Sequence, residues 1–182
     1  MRDFNWGRWA VSGLMLAAPM LGMDCSNDEN AHPPSERERI EKGLTLSPVP
    51  LNLDGKDRDL LGLGSYVVNA QAACNDCHTH PTLVTGGDPF RGEPEQVNST
   101  HFLAGGTPFG PSLVSPNITP DASGNPAGLS YEDFQHLLRT GREGDGSILQ
   151  VMPWPIYKNM TDRDLRAVYE YLRAIPHAEP GP

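Results

Sequence analysis

Residues 72–81 read A-A-C-N-D-C-H-T-H-P. Cys74 and Cys77 are three apart, and His78 follows the second cysteine directly. On a helical backbone, positions three and four apart share a face, so two thiols and an imidazole project together. A covalently attached haem c needs that set: two thiols to meet the vinyl groups and an imidazole to reach the iron from one side. C-x-x-C-H is the recognised spacing for that attachment. Structural zinc needs a fourth strong ligand and usually a second ligand pair, and none is spaced for it here. A thioredoxin-like redox pair belongs in a βαβ context, which the flanking sequence lacks. The stretch therefore predicts one haem c, held by Cys74 and Cys77, with His78 on the iron. The motif occurs once.

The rest of the composition suits a small domain completed by a large apolar group. Of 182 residues only 37% are hydrophobic and 7% aromatic, with 19 Gly and 18 Pro. Such a loop-rich chain has a thin core of its own. The net charge of −9 argues against a nucleic-acid partner, which would need clustered Lys and Arg to neutralise phosphates. An acidic surface suits solubility and docking to a basic patch on another protein.

The chain opens with Arg2 and Arg8 ahead of an apolar run from Val11 to Met23. That run is too short to span a bilayer, which takes roughly 20 residues. It fits the apolar region of an export signal, so residues 1–24 are expected to be a signal peptide or N-terminal anchor and the protein to be exported. Cys25 stands directly after this run, as a lipidated cysteine would, and offers a membrane tether. The residue before it is Asp24, where lipoprotein signals carry a small residue. Residues 25–58 are polar, charged and Pro-bearing, and read as a disordered linker. The folded domain is expected over 59–176, with 177–182 a tail.

Within that domain, Leu63, Val67, Ala70 and Cys74 fall at helical spacing. Residues 81–126 show no sustained period and are dense in Gly, Pro, Asn and Asp, which predicts a long loop. Ser130 caps a helix that Phe134, Leu137 and Leu138 face inward and Gly141 ends. Thr161 caps another, with Leu165, Val168, Tyr169, Leu172 and Ile175 as its buried stripe and Pro176 as its stop.

Taken with "LAGGTPFG", "SPNITPD", "DFQHLLRTG" and "VMPWPIYKNMTDRDLRAVYEYLRAIP", the motif segment resembles a monohaem class I c-type cytochrome. More particularly, it is similar to the cytochrome c domains of bacterial dehydrogenase electron-transfer subunits. The likeness runs over roughly residues 60–176. It implies an all-α cytochrome c fold, with short helices and long loops wrapped around one covalently attached haem. It also implies electron transfer between a dehydrogenase or quinol-linked donor and an oxidase or another cytochrome, on the periplasmic side or tethered there. Members of the group often carry several haems, whereas this chain has one motif.

A class I cytochrome takes its second axial ligand from the segment before the last helix, which points to Met152 in "VMPWP". Met160 directly precedes the cap Thr161, and with Leu165 it forms a hydrophobic staple, which gives it a structural role. His101, in the long loop, is the alternative ligand. His80, His136 and His177 read as exposed or tail residues. Arg142 and Trp154 are candidate donors to the haem propionates, and Gly105 and Gly106 would let backbone approach the haem edge. Asn117 and Thr119 are placed to pin their loop by side-chain to backbone bonds. The competing functional class is a haem enzyme or sensor with an open distal site.

Overall fold

A computed structural model describes residues 33–182. The readings of residues 1–24 and Cys25 as signal, anchor or lipid site lie outside the described residues. All regular elements among the described residues are helices, joined by loops that touch through isolated β-bridges.

Ser35 begins the first helix, α1 (Glu36–Leu46). Its hydroxyl accepts from the Glu38 amide, and the Glu38 carboxylate accepts from the Ser35 amide, closing a capping box. This corrects the expected disorder of 25–58 from residue 36 onward. The polar composition hid a narrow apolar stripe in which Ile40 and Gly43 are buried and Leu44 packs beside them. At Gly43 and Gly62, α1 and α2 (Arg58–Tyr66) approach backbone to backbone, and a side chain at either glycine would collide with the other helix. The Ser65 hydroxyl donates to the Gly43 carbonyl at 2.6 Å in the buried seam. Ion pairs Arg58–Glu41 and Arg163–Glu36 flank the helix, but both are solvent-exposed and add little.

The last helix, α6 (Asp162–Leu172), crosses α2. Thr161 caps it, and Leu165, Val168, Tyr169, Leu172 and Ile175 are all buried, as the sequence predicts. Gly64 permits the crossing: a Cβ there would run into the Ala167 carbonyl. Gly64→Ala is therefore expected to cost about 3 kcal/mol, the upper range for overpacking. Thermal unfolding measures it, and a loss below about 1 kcal/mol would mean the helices slide apart freely.

The helix expected to run unbroken from Leu63 to Cys74 does not. A π-helical turn (Val67–Gln71) follows α2, and Ala73 takes a left-handed conformation with φ 52°. The wide turn shifts the helical register, so Ala70 is exposed while Val67, Val68 and Ala72 are buried. The left-handed residue then redirects the chain into a separate short helix, α3 (Cys74–His78). Helix α4 (Tyr131–Thr140) is capped by Ser130 and ended by Gly141 at φ 68°, as expected. Phe134 and Leu138 are buried, and Leu137 is half-buried. Helix α5 (Trp154–Tyr157) is a single turn, with Pro155 in its first turn, where a missing amide costs nothing.

Residues 177–182 are not a free tail. Ala178 donates to the Thr119 hydroxyl at 3.3 Å and accepts from the Asn117 amide group at 2.8 Å. The His177 ring donates to the Pro120 carbonyl at 2.9 Å. Pairing of this kind cannot be read from periodicity, because it joins residues about 60 apart through side chains.

Candidate haem site

One large cleft opens between α3, α4, α5 and α6 and the loops before them. Cys74, Cys77, His78, Met152 and Met160 all line it, together with Leu138, Val168 and Leu172 of the core. Its walls are overwhelmingly apolar, and Glu143 is the one acidic side chain on them. Two tight loops build its mouth. Pro108 pairs with Val114 and Arg142 with Ile148 across antiparallel bridges. They present Phe109, Leu113 and Val114 on one side and Leu149 and Val151 on the other. Leu113, Val114 and Val151 are exposed although large and apolar.

The motif residues sit on the cleft because α3 is decoupled from α2. Burial pushes the Cys74 thiol up to about 12, with the neighbouring Cys77 adding to the effect, and burial also raises Cys77. The two are not joined to each other by a disulfide. His78 is buried, and its Nδ1 lies 2.9 Å from the Pro116 carbonyl oxygen. A carbonyl only accepts, so Nδ1 carries the proton and Nε2 keeps its lone pair. Burial lowers the His78 pKa and so favours the neutral ring, and the Pro116 hydrogen bond only partly opposes it. A neutral imidazole with a free Nε2 and a carbonyl-held Nδ1–H is the state a metal-ligating histidine needs.

Gly105 explains how Pro116 reaches His78. Its amide donates to the His78 carbonyl at 2.6 Å, and a Cβ on it would lie 2.6 Å from the Pro116 carbonyl carbon. Neither Gly105 nor Gly106 lines the cleft, and at φ 80° Gly105 serves the contact between two loops that flank His78. Asn117 and Thr119 do pin their loop, since Asn117 Oδ1 accepts from the Thr119 amide at 2.8 Å and from its hydroxyl at 2.7 Å.

Other candidates lie elsewhere. His101 does not line the cleft, and its Nδ1 donates to the Glu179 carbonyl at 2.8 Å. His136 is exposed, and His80 sits beside Gly181. Arg142 donates to the Gly146 carbonyl at 3.3 Å, and neither it nor Trp154 lines the cleft. Trp154 instead packs flat on Gly141, fixing the segment after Met152 against α4. Met160 is not confined to a staple: it lines the cleft as Met152 does, and both are half-buried against the core. Tyr157 was not singled out from the sequence. Its hydroxyl donates to the Ala72 carbonyl at 2.6 Å, tying the Met152 segment to the turn that precedes Cys74.

The residues fit a haem on four counts. Two thiols and a neutral imidazole share one apolar cleft, a methionine sulfur is available within it, and exposed aliphatic side chains line its mouth. Among the described residues, no group of three or more His, Cys, Asp or Glu side chains is placed to hold a metal ion by itself.

The arrangement fits a covalently attached haem, and the comparisons with known proteins bear on the same class. No protein-family model matches the chain. The chain is 36% identical over 128 residues to the gluconate 2-dehydrogenase cytochrome c subunit of Pantoea cypripedii, covering 70% of this chain and 26% of that protein. It is 33% identical over 116 residues to the cytochrome c subunit of the quinone alcohol dehydrogenase of Gluconobacter oxydans, covering 63% and 21%. It is 32% identical over 120 residues to the fructose dehydrogenase cytochrome subunit of Gluconobacter japonicus, covering 63% and 21%. The chain thus spans about a quarter of the length of these relatives. It is similar to the cytochrome c domains of bacterial dehydrogenase electron-transfer subunits, as the sequence motifs imply.

Proposed function

We propose that this chain is a one-electron carrier of the cytochrome c fold. Cys74 and Cys77 hold one haem c covalently, and His78 and Met152 are its axial ligands. The carrying observation is the single apolar cleft that gathers these four residues, with His78 buried, neutral and Nδ1-bonded to Pro116. When bound, the haem iron supplies the one-electron redox chemistry. The protein's part is to keep water from most of the cleft and to fix the ligands, so that little rearranges when charge changes. Pro116 orients the imidazole, while Trp154 on Gly141 and the Tyr157–Ala72 bond hold the Met152 segment.

Met152 is preferred over Met160 on local grounds. Pro153 follows it and Pro155 lies in α5, so the segment enters the site already stiff. Met160 is bound at its backbone on both sides: its amide donates to the Tyr157 carbonyl at 3.0 Å, and its carbonyl accepts from Arg139 at 2.6 Å. An enzyme or sensor would need an open distal position, and two methionines on the cleft favour a filled one.

The electron comes from a dehydrogenase or quinol-linked donor and passes to an oxidase or another cytochrome. The names of the relatives support a dehydrogenase as partner. The chain is exported, with residues 1–24 as signal or anchor and Cys25 as the candidate lipid tether. No helix among the described residues is long and apolar enough to cross a membrane. An optical redox titration of the holoprotein tests the carrier reading. A single one-electron wave with no spectral change on adding carbon monoxide is expected. Rapid carbon monoxide binding to the reduced protein would favour the open-site class.

A further inference from the structure

Pro116 is an unusual anchor. It has no N–H of its own, so the carbonyl that holds His78 must be positioned by its neighbours. On the C-terminal side, the polar brace is the Asn117 side chain. Its Nδ2 donates to the Ala178 carbonyl at 2.8 Å, and its Oδ1 accepts from the Thr119 hydroxyl, which in turn accepts from the Ala178 amide. These bonds form a closed ring between the Pro116 loop and residue 178. Further along, His101 donates to the Glu179 carbonyl, Pro180 lies 3.4 Å from the position of a Gly106 Cβ, and Gly181 packs on the His80 carbonyl. Segment 177–181 therefore bridges both loops that flank His78. One supplies Pro116, and the other supplies Gly105, whose amide holds the His78 carbonyl.

We propose that segment 177–181, acting through Asn117, is a positioning element for His78 that sets the strength of its Nδ1–H bond to Pro116 and through it the reduction potential. The inference rests on the haem reading given above. A stronger Nδ1–H···O bond makes the imidazole more basic and favours the oxidised iron. Loosening the segment weakens that bond and raises the potential.

Two variants approach the ring from opposite sides. Asn117→Ser is neutral and keeps a side-chain oxygen for the local turn, but is too short to reach Ala178. His177→Ala removes the ring nitrogen that bonds the Pro120 carbonyl and lies 3.2 Å from the Thr119 hydroxyl of the ring, while the Asn117 side chain stays in place. His136→Ala, on an exposed face, is the control. In the reduced holoprotein, NMR follows exchange of the His78 Nδ1 proton, and a redox titration follows the potential. Both variants are expected to speed that exchange about tenfold and to shift the equilibrium toward reduced protein about threefold, on the scale of lost partners behind a metal ligand. A fall in melting temperature with unmoved exchange and potential would overturn the inference and leave the segment a purely structural clasp. If Asn117→Ser fails to fold, His177→Ala decides alone. A parent protein without covalent haem would instead overturn the reading on which the inference rests, so the two failures are distinct.

Discussion

Replacing Met152 by Ala is expected to abolish the sulfur-to-iron charge-transfer band of the oxidised protein and to open the iron to cyanide and carbon monoxide. A methionine ligand raises the potential, so its loss lowers it. The fall should be at least about 59 mV, a tenfold change in a one-electron equilibrium. The fold should survive, because Met152 is only half-buried and Trp154 and Tyr157 still hold its segment in place. Replacing Met160 by Leu should leave the band untouched and cost at most about 1.5 kcal/mol, as volume-conserving apolar exchanges do. Both methionines line the cleft, so this pair of variants separates ligand from wall. Survival of the band without Met152, and its loss without Met160, would exchange their roles.

The grouping of the candidate site residues is legible where it depends on short spacing. Cys74, Cys77 and His78 form a local motif, and α4 and α6 announce themselves by caps and apolar stripes. What the sequence hid depends on contacts between distant segments. The Ser35–Glu38 capping box was present to be read, but a charged, Pro-flanked stretch masked α1, whose packing relies on Gly43 and Gly62 meeting without side chains. The π turn at 67–71 is invisible to a 3.6-residue period, which is why Ala70 was expected inside. Pro116 carries no side-chain signal for its role, because it acts through a carbonyl that every residue has. Asn117 was singled out as a loop pin, but its second bond, to Ala178, required knowing that residues 177–181 fold back. Met160 was expected to pack as a staple because it precedes a cap. The structure shows that a residue can precede a cap and still face the cleft.

The double replacement of Cys74 and Cys77 by Ala has the largest expected effect of all. The cleft walls are apolar, and much of the main core, including Phe134, Leu138, Val168 and Leu172, borders them. Without a covalent link the haem is held by its axial ligands and packing alone, and its binding free energy no longer stabilises the fold at every concentration. The variant is expected to release haem into acid–acetone and to lose most of its cooperative thermal transition. A variant that keeps its haem through extraction would show attachment elsewhere in the chain.

The most direct test is the intact mass of the protein matured in a host with a cytochrome c assembly system, read beside its denatured optical spectrum. The account predicts a polypeptide heavier by one haem, with the linkage mapping to the peptide that contains Cys74 and Cys77 and the spectrum of a haem with two thioether bonds. An unmodified mass, or a haem that dissociates on denaturation, would contradict it.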